Sequence, residues 1–169
     1  RDFRAFDHEQ LKVMGKPLEF WPCQLPLVAN MEKQLEQKGF VRSVWLKARQ
    51  TGSSTLAAGI TSWRTMLRPN TSAIVIADEA ERAKGLFEIA RGFYDQLDDD
   101  IRPVGRYITK RELVFANPSI ATRIADPGLR SRIVVESAHK KSIAIGANWT
   151  IAFLSECARY PDPLFVLDG

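Results

Sequence analysis

The run Lys47-Ala48-Arg49-Gln50-Thr51-Gly52-Ser53-Ser54-Thr55 concentrates cations, a glycine and side-chain hydroxyls in one short stretch. A standard phosphate loop reads GxxxxGK[ST]: glycines let backbone N–H groups wrap the phosphates, the lysine neutralises charge and the hydroxyl meets magnesium. Aligning Gly52 with the second glycine places Lys47 at the first glycine, Ser53 at the lysine and Ser54 at the magnesium-binding hydroxyl. The missing charge would then come from Lys47 and Arg49, reaching back over the β- and γ-phosphates to restore the cationic clamp that phosphoryl transfer needs. The plainer reading of the same residues is a Gly-Ser-Ser-Thr turn capping a helix. Lys47 would then be a solvated strand end and Arg49 a surface arginine.

Hydrolysis also needs acidic residues at the end of an apolar strand, one for the metal and one to orient water. Two segments qualify. Ile74-Val75-Ile76-Ala77-Asp78-Glu79 fits the generic rule, although Asp78 with Glu81 also matches an N-terminal capping box. Ile151-Ala152-Phe153-Leu154-Ser155-Glu156 has serine in the metal-side position, where Ser155 would act through a water. The residues alone leave both open, with a slight preference for Asp78-Glu79.

Other chemistries have little to work with. Cys23 and Cys157 form neither a CxxC pair nor a disulfide framework, and only His8 and His139 join them as soft ligands. Cys157 reads as a small core residue behind Glu156. The four tryptophans lie in core-like segments, not on a stacking platform. Among 169 residues, 45% are hydrophobic and 26% charged, which suits a single folded domain and excludes disorder. A net charge of +4 permits a polyanionic partner without requiring one. No apolar run approaches the ~18–20 residues needed to span a bilayer, so no membrane role is expected.

The elements that must position these residues alternate. Leu27, Val28, Met31 and Leu35 recur at helical spacing before Gly39, predicting a helix over 24–38. Phe40–Leu46 is β-branched and aromatic, predicting a strand that runs into the hydroxyl-rich loop. Leu56, Ile60, Trp63 and Leu67 then share a helical face. Residues 72–77 read as a buried parallel strand, followed by a helix with Ala83, Phe87, Ala90, Tyr94 and Leu97 on one stripe. Leu113–Phe115 and Ile120–Thr122 flank Asn117-Pro118 and predict a β-hairpin, and 133–135 and 150–154 are further strands. Between them lies the basic loop Lys140–Gly146, a solvated turn or a contact for DNA or a neighbouring subunit. Such an α/β sheet binds ligands at the carboxyl ends of its strands.

Four segments in order resemble the large terminase subunits of tailed bacteriophages. Residues 47–55 resemble their deviant Walker A, K-x-R-Q-x-G-x-[ST]-[ST]. Phe20-Trp21-Pro22-Cys23-Gln24 resembles their Q motif, Phe115-Ala116-Asn117-Pro118-Ser119 the hairpin before the catalytic strand, and Leu154-Ser155-Glu156-Cys157-Ala158-Arg159-Tyr160-Pro161 the Walker B segment h-[SD]-E-x-A-x-[WY]-P. The likeness covers about residues 20–162.

This resemblance implies an α/β P-loop NTPase of the additional-strand catalytic-glutamate class, with a mainly parallel central sheet, flanking helices and a β-hairpin. It implies an ATPase motor domain over 1–169, expected to be a fragment without the coupling motif and the carboxyl-terminal nuclease domain. Glu156 and Arg49 would be catalytic, which makes Asp78-Glu79 the alternative acidic pair. Gln24, Lys47, Arg49, Gln50, Thr51, Gly52, Ser53, Ser54 and Thr55 would bind ATP, Gln24 through the adenine, and Ser54 and Ser155 would serve Mg²⁺. Implied partners are double-stranded DNA read without regard to sequence, a portal protein, a small terminase subunit and further copies in a ring, in the cytoplasm of an infected bacterial host. The alternatives are a helicase-like nucleic-acid-dependent ATPase and a nucleotide- or DNA-binding module with little hydrolysis.

Overall fold

The structure, a computed structural model, describes residues 11–48, 50–140 and 148–162. A small ribbon, β1 (Lys12–Val13) and β2 (Lys16–Pro17), precedes helix α1 (Leu25–Lys38). Then follow α2 (Ser53–Leu67), β3 (Ser72–Ala77), α3 (Ala80–Asp95), β4 (Gly105–Ile108), β5 (Glu112–Phe115), β6 (Ser131–Ser137), β7 (Ile151–Leu154) and a 3₁₀ turn at Cys157–Arg159. The sheet order is β4-β5-β6-β3-β7. β3 runs parallel to both β6 and β7, whereas β5 is antiparallel to β4 and β6. The architecture is thus mixed α/β, with a parallel centre extended by a hairpin.

The period of two along a strand explains how the sheet is covered. Ala73, Val75 and Ala77 share a core with Ile133, Val135, Leu113 and Phe115, roofed by Leu56, Trp63 and Met66 of α2 and Phe87 and Phe93 of α3. Ile74 and Ile76 face the other way, against Ala138 and Tyr160, with Trp149 and Leu154 alongside. Both faces of β3 are therefore covered, which is why residues 72–77 are so uniformly apolar. Gly59 lets α2 approach its neighbours, because a Cβ there would lie 2.8 Å from Leu18 Cδ2.

Helix α1 ends as its sequence predicts, on Gly39 in the left-handed region with its N–H on the Leu35 carbonyl. Three expectations need correction. Residues 40–46 form no strand: β7 is the edge of the sheet, and the segment joins no ladder. Its backbone is held by a side chain instead, Gln34 accepting from Arg42 N–H at 2.9 Å, and Val44 and Leu46 stay exposed. The hairpin pairs β5 with β4, not with 120–122, because Asn117 closes a turn across 117–126 through Ser119 N–H, the Thr122 hydroxyl and the Asp126 carbonyl. Asp78 does not cap α3; the N-cap position is Glu79, and the Asp78 carboxylate points into arginines. Within the described residues no helix is long and apolar enough to cross a membrane.

Candidate functional site

The strand β7 with the turn after it, the segment before α2 and the amino end of α2 line one groove of about 1870 Å³. Its wall includes Lys47, Ser53, Ser54, Ser155 and Glu156. The chain enters α2 through left-handed backbone at Gln50 (φ 60) and Gly52 (φ 65), and Gly52 is the N-cap residue without a side-chain cap. The first N–H groups of α2 thus have no side chain closing them off, and the helix dipole favours an anion at that end. Thr51 steadies the turn: its hydroxyl reaches the Ala48 carbonyl at 3.3 Å and the Ser53 hydroxyl at 2.7 Å. Ser53 is buried there, while Ser54 is half-buried on the groove wall.

Lys47 and Glu156, distant in sequence, meet across this groove with Nζ 3.1 Å from Oε1. That hydrogen bond and its charge hold the Glu156 carboxyl below the usual carboxylate range, with Arg82 and Arg159 adding to the pull. Glu156 sits in the left-handed region, φ 56 and ψ 38, an uncommon conformation for a residue with a side chain. The fold imposes it from both sides. Before it, Ser155 N–H donates to the Ile76 carbonyl at 2.8 Å; after it, the buried Tyr160 hydroxyl donates to the same carbonyl at 2.8 Å. Burial, with Cys157 and Asp78 nearby, pushes the Tyr160 phenol up from its ordinary value, so it remains a donor.

Asp78 ends the neighbouring strand in different surroundings. Its side chain is 3% exposed, with Oδ2 2.6 Å from Arg82 and 3.2 Å from Arg159. Oδ1 has no hydrogen-bond partner among the described residues. Glu79 is exposed, 3.8 Å from Arg159, and neither acid is on the groove wall. Arg82, Arg159 and Tyr160 carry this arrangement; the sequence reading gives Arg82 no role, and Arg159 and Tyr160 enter it only as members of the segment 154–161. The i,i+4 spacing of Asp78 and Arg82 was a visible signal; the Arg159 and Tyr160 contacts cross from one strand end to another.

The structure brings Lys47, Ser53, Ser54, Ser155 and Glu156 together. Gln24 lies behind the loop, buried, and touches Thr51; Gln50, Thr51, Gly52 and Thr55 form the turn and the first helical turn without facing the groove. Arg49 and Lys141 lie outside the described residues. Cys157 is exposed, not a core residue, because the 3₁₀ turn carries it outward. Lys140 pairs with Glu136. Magnesium favours oxygen ligands and keeps several waters. The hydroxyls of Ser54 and Ser155 and the Glu156 carboxylate are oxygens of that kind among the residues lining the groove, and are the groups here whose chemistry suits such an ion. Among the described residues no cluster of three or more His, Cys, Asp or Glu is arranged to hold a metal.

No protein-family model matches the chain, and no curated protein matches its sequence. Among solved structures it is similar to the crystal structure of the HK97 bacteriophage large terminase, with a TM-score of 0.69 and 19% identity. The match covers 90% of this chain and 30% of that one, so the chain has a terminase-like fold and spans under a third of that neighbour's length.

Proposed function

We propose that the chain is the ATPase motor domain of a viral large terminase, a P-loop NTPase of the additional-strand catalytic-glutamate class that uses ATP to drive double-stranded DNA into a procapsid. The observation that carries this reading is the meeting of Lys47 and Glu156 at 3.1 Å beside the uncapped amino end of α2. A cation, an anion-binding helix end and an ionised carboxylate are what splitting a phosphate anhydride with water requires. The terminase-like fold supports the same reading.

In this proposal the first amides of α2, at Ser53 and Ser54, cradle the phosphates, Lys47 neutralises their oxygens and Arg49, on the sequence argument alone, does the same. Ser54 and Ser155 would hold magnesium, which when bound would neutralise phosphate charge. Glu156 orients the water for in-line attack on the γ-phosphate and takes its proton. Contacts to DNA run through backbone phosphates, since packaging ignores sequence. A ring of copies, a portal protein and a small terminase subunit complete the machine, in the cytoplasm of an infected bacterium.

A second reading, a nucleotide-binding module with little hydrolysis, is favoured by the Ser155 hydroxyl standing where a metal-side carboxylate would be. Magnesium-dependent phosphate release from ATP, with and without double-stranded DNA, separates the two. The motor reading expects turnover that DNA accelerates; binding of ATP without release supports the module.

A further inference from the structure

We infer that Gln24 is a positioning residue that clamps the turn at Thr51. The inference rests on the proposed reading of 47–55 as a phosphate site. Gln24 is 4% exposed. Its Oε1 accepts the Trp21 N–H at 3.1 Å, and its Nε2 donates to the Thr51 carbonyl at 2.9 Å. Chemistry fixes this orientation: a backbone N–H only donates and a carbonyl only accepts, so a flipped amide would set donor against donor and acceptor against acceptor.

The residue's backbone is committed too. Its N–H donates to the Trp21 carbonyl at 2.8 Å, and its own carbonyl accepts from Leu27 and Val28 at 3.0 and 3.1 Å, opening α1. Gln24 is therefore mounted through its backbone, and its side chain gives one donor and one acceptor to the chain. Its target adjoins Gly52, whose left-handed backbone starts α2. A Cβ on Gly52 would lie 2.8 Å from Gln24 Nε2, so glycine is favoured there by its φ of +65 and a larger residue would press on the clamp. Losing the clamp frees the turn that aims the first N–H groups of α2.

The test compares wild type with Gln24→Met, which keeps length and neutrality but removes both hydrogen bonds. Affinity is measured for ATP and for tripolyphosphate, which has the phosphates but no base. Hydrogen exchange is followed over 50–56 without ligand. The expected result is about tenfold weaker binding of both ligands and faster exchange over 50–56, with β3 and β6 unchanged. Loss of ATP affinity with tripolyphosphate untouched makes Gln24 a base reader and overturns the inference, as does unchanged exchange over 50–56. Wild-type protein that binds neither ligand sinks the phosphate-site reading and the inference with it, through a result in which Gln24 plays no part.

Should Gln24→Met not fold, a cycle of Gln24→Ala with Gly52→Ala takes its place. Gly52→Ala is expected to cost about fivefold less in tripolyphosphate affinity when the Gln24 side chain is absent. Additive losses overturn the clamp.

Discussion

Two strands end side by side and present acids in opposite circumstances. Asp78, after β3, is buried against Arg82 and Arg159. Glu156, after β7, has a side chain 39% exposed in the groove and meets a single lysine from the turn before α2. A carboxylate closed in by two arginines is committed to holding structure. One that faces a groove through a single exchangeable partner can give that partner up to a polyanion and turn to water. The two candidate acidic segments, both left open by the residues alone, thus differ in what surrounds them.

The largest effect that would sharpen this contrast is on stability at the β3 end. Replacing Arg82 and Arg159 together by alanine leaves the buried Asp78 carboxylate unpaired, and a loss of about 3–5 kcal/mol is expected in urea unfolding. A loss no larger than that of an ordinary surface pair would mean that Asp78 finds water. Tyr160→Phe comes next. It removes the hydrogen bond on the Ile76 carbonyl that ties the turn after Glu156 to β3, and a loss of about 1–2 kcal/mol in the same assay is expected.

The smallest effect belongs to the Glu156 end. Lys47→Ala is expected to cost less than about 1 kcal/mol, since the pair is partly exposed and solvent screens it. Its signature is in titration. The Glu156 pKa lies below its unfolded value, so the pair's contribution is present above the unfolded pKa and fades as pH falls through the folded one. In Lys47→Ala the Glu156 carboxyl, followed by NMR, is expected to titrate at higher pH, and that part of the acid dependence of the melting temperature should vanish. An unmoved Glu156 titration would show that Arg82 and Arg159, not Lys47, set its charge.

Local grammar was legible. Residues 72–77 are apolar throughout because both faces are covered, and the structure places β3 on those residues. Gly39 ends α1, and the glycine-hydroxyl run opens α2. What failed depended on distant partners. Residues 40–46 have strand-like composition, but a strand exists only with a neighbour to bond, and here Gln34 holds that backbone. Asp78 has the sequence of a cap, yet arginines from α3 and from beyond β7 compete for it and win. The pairing of Lys47 with Glu156 follows from topology, since it needs β7 beside β3 and α2 above them. The Gln24 contact with Thr51 joins segments 27 residues apart and has no signature in either.

The central claim, that Glu156 and not the Asp78-Glu79 pair acts on water, is tested most directly by magnesium-dependent ATP turnover and ATP binding in wild type, Glu156→Gln and Glu79→Gln. The account predicts that Glu156→Gln loses turnover by about 10²-fold or more while still binding ATP, and that Glu79→Gln turns over like wild type. Turnover abolished in Glu79→Gln and retained in Glu156→Gln would contradict it.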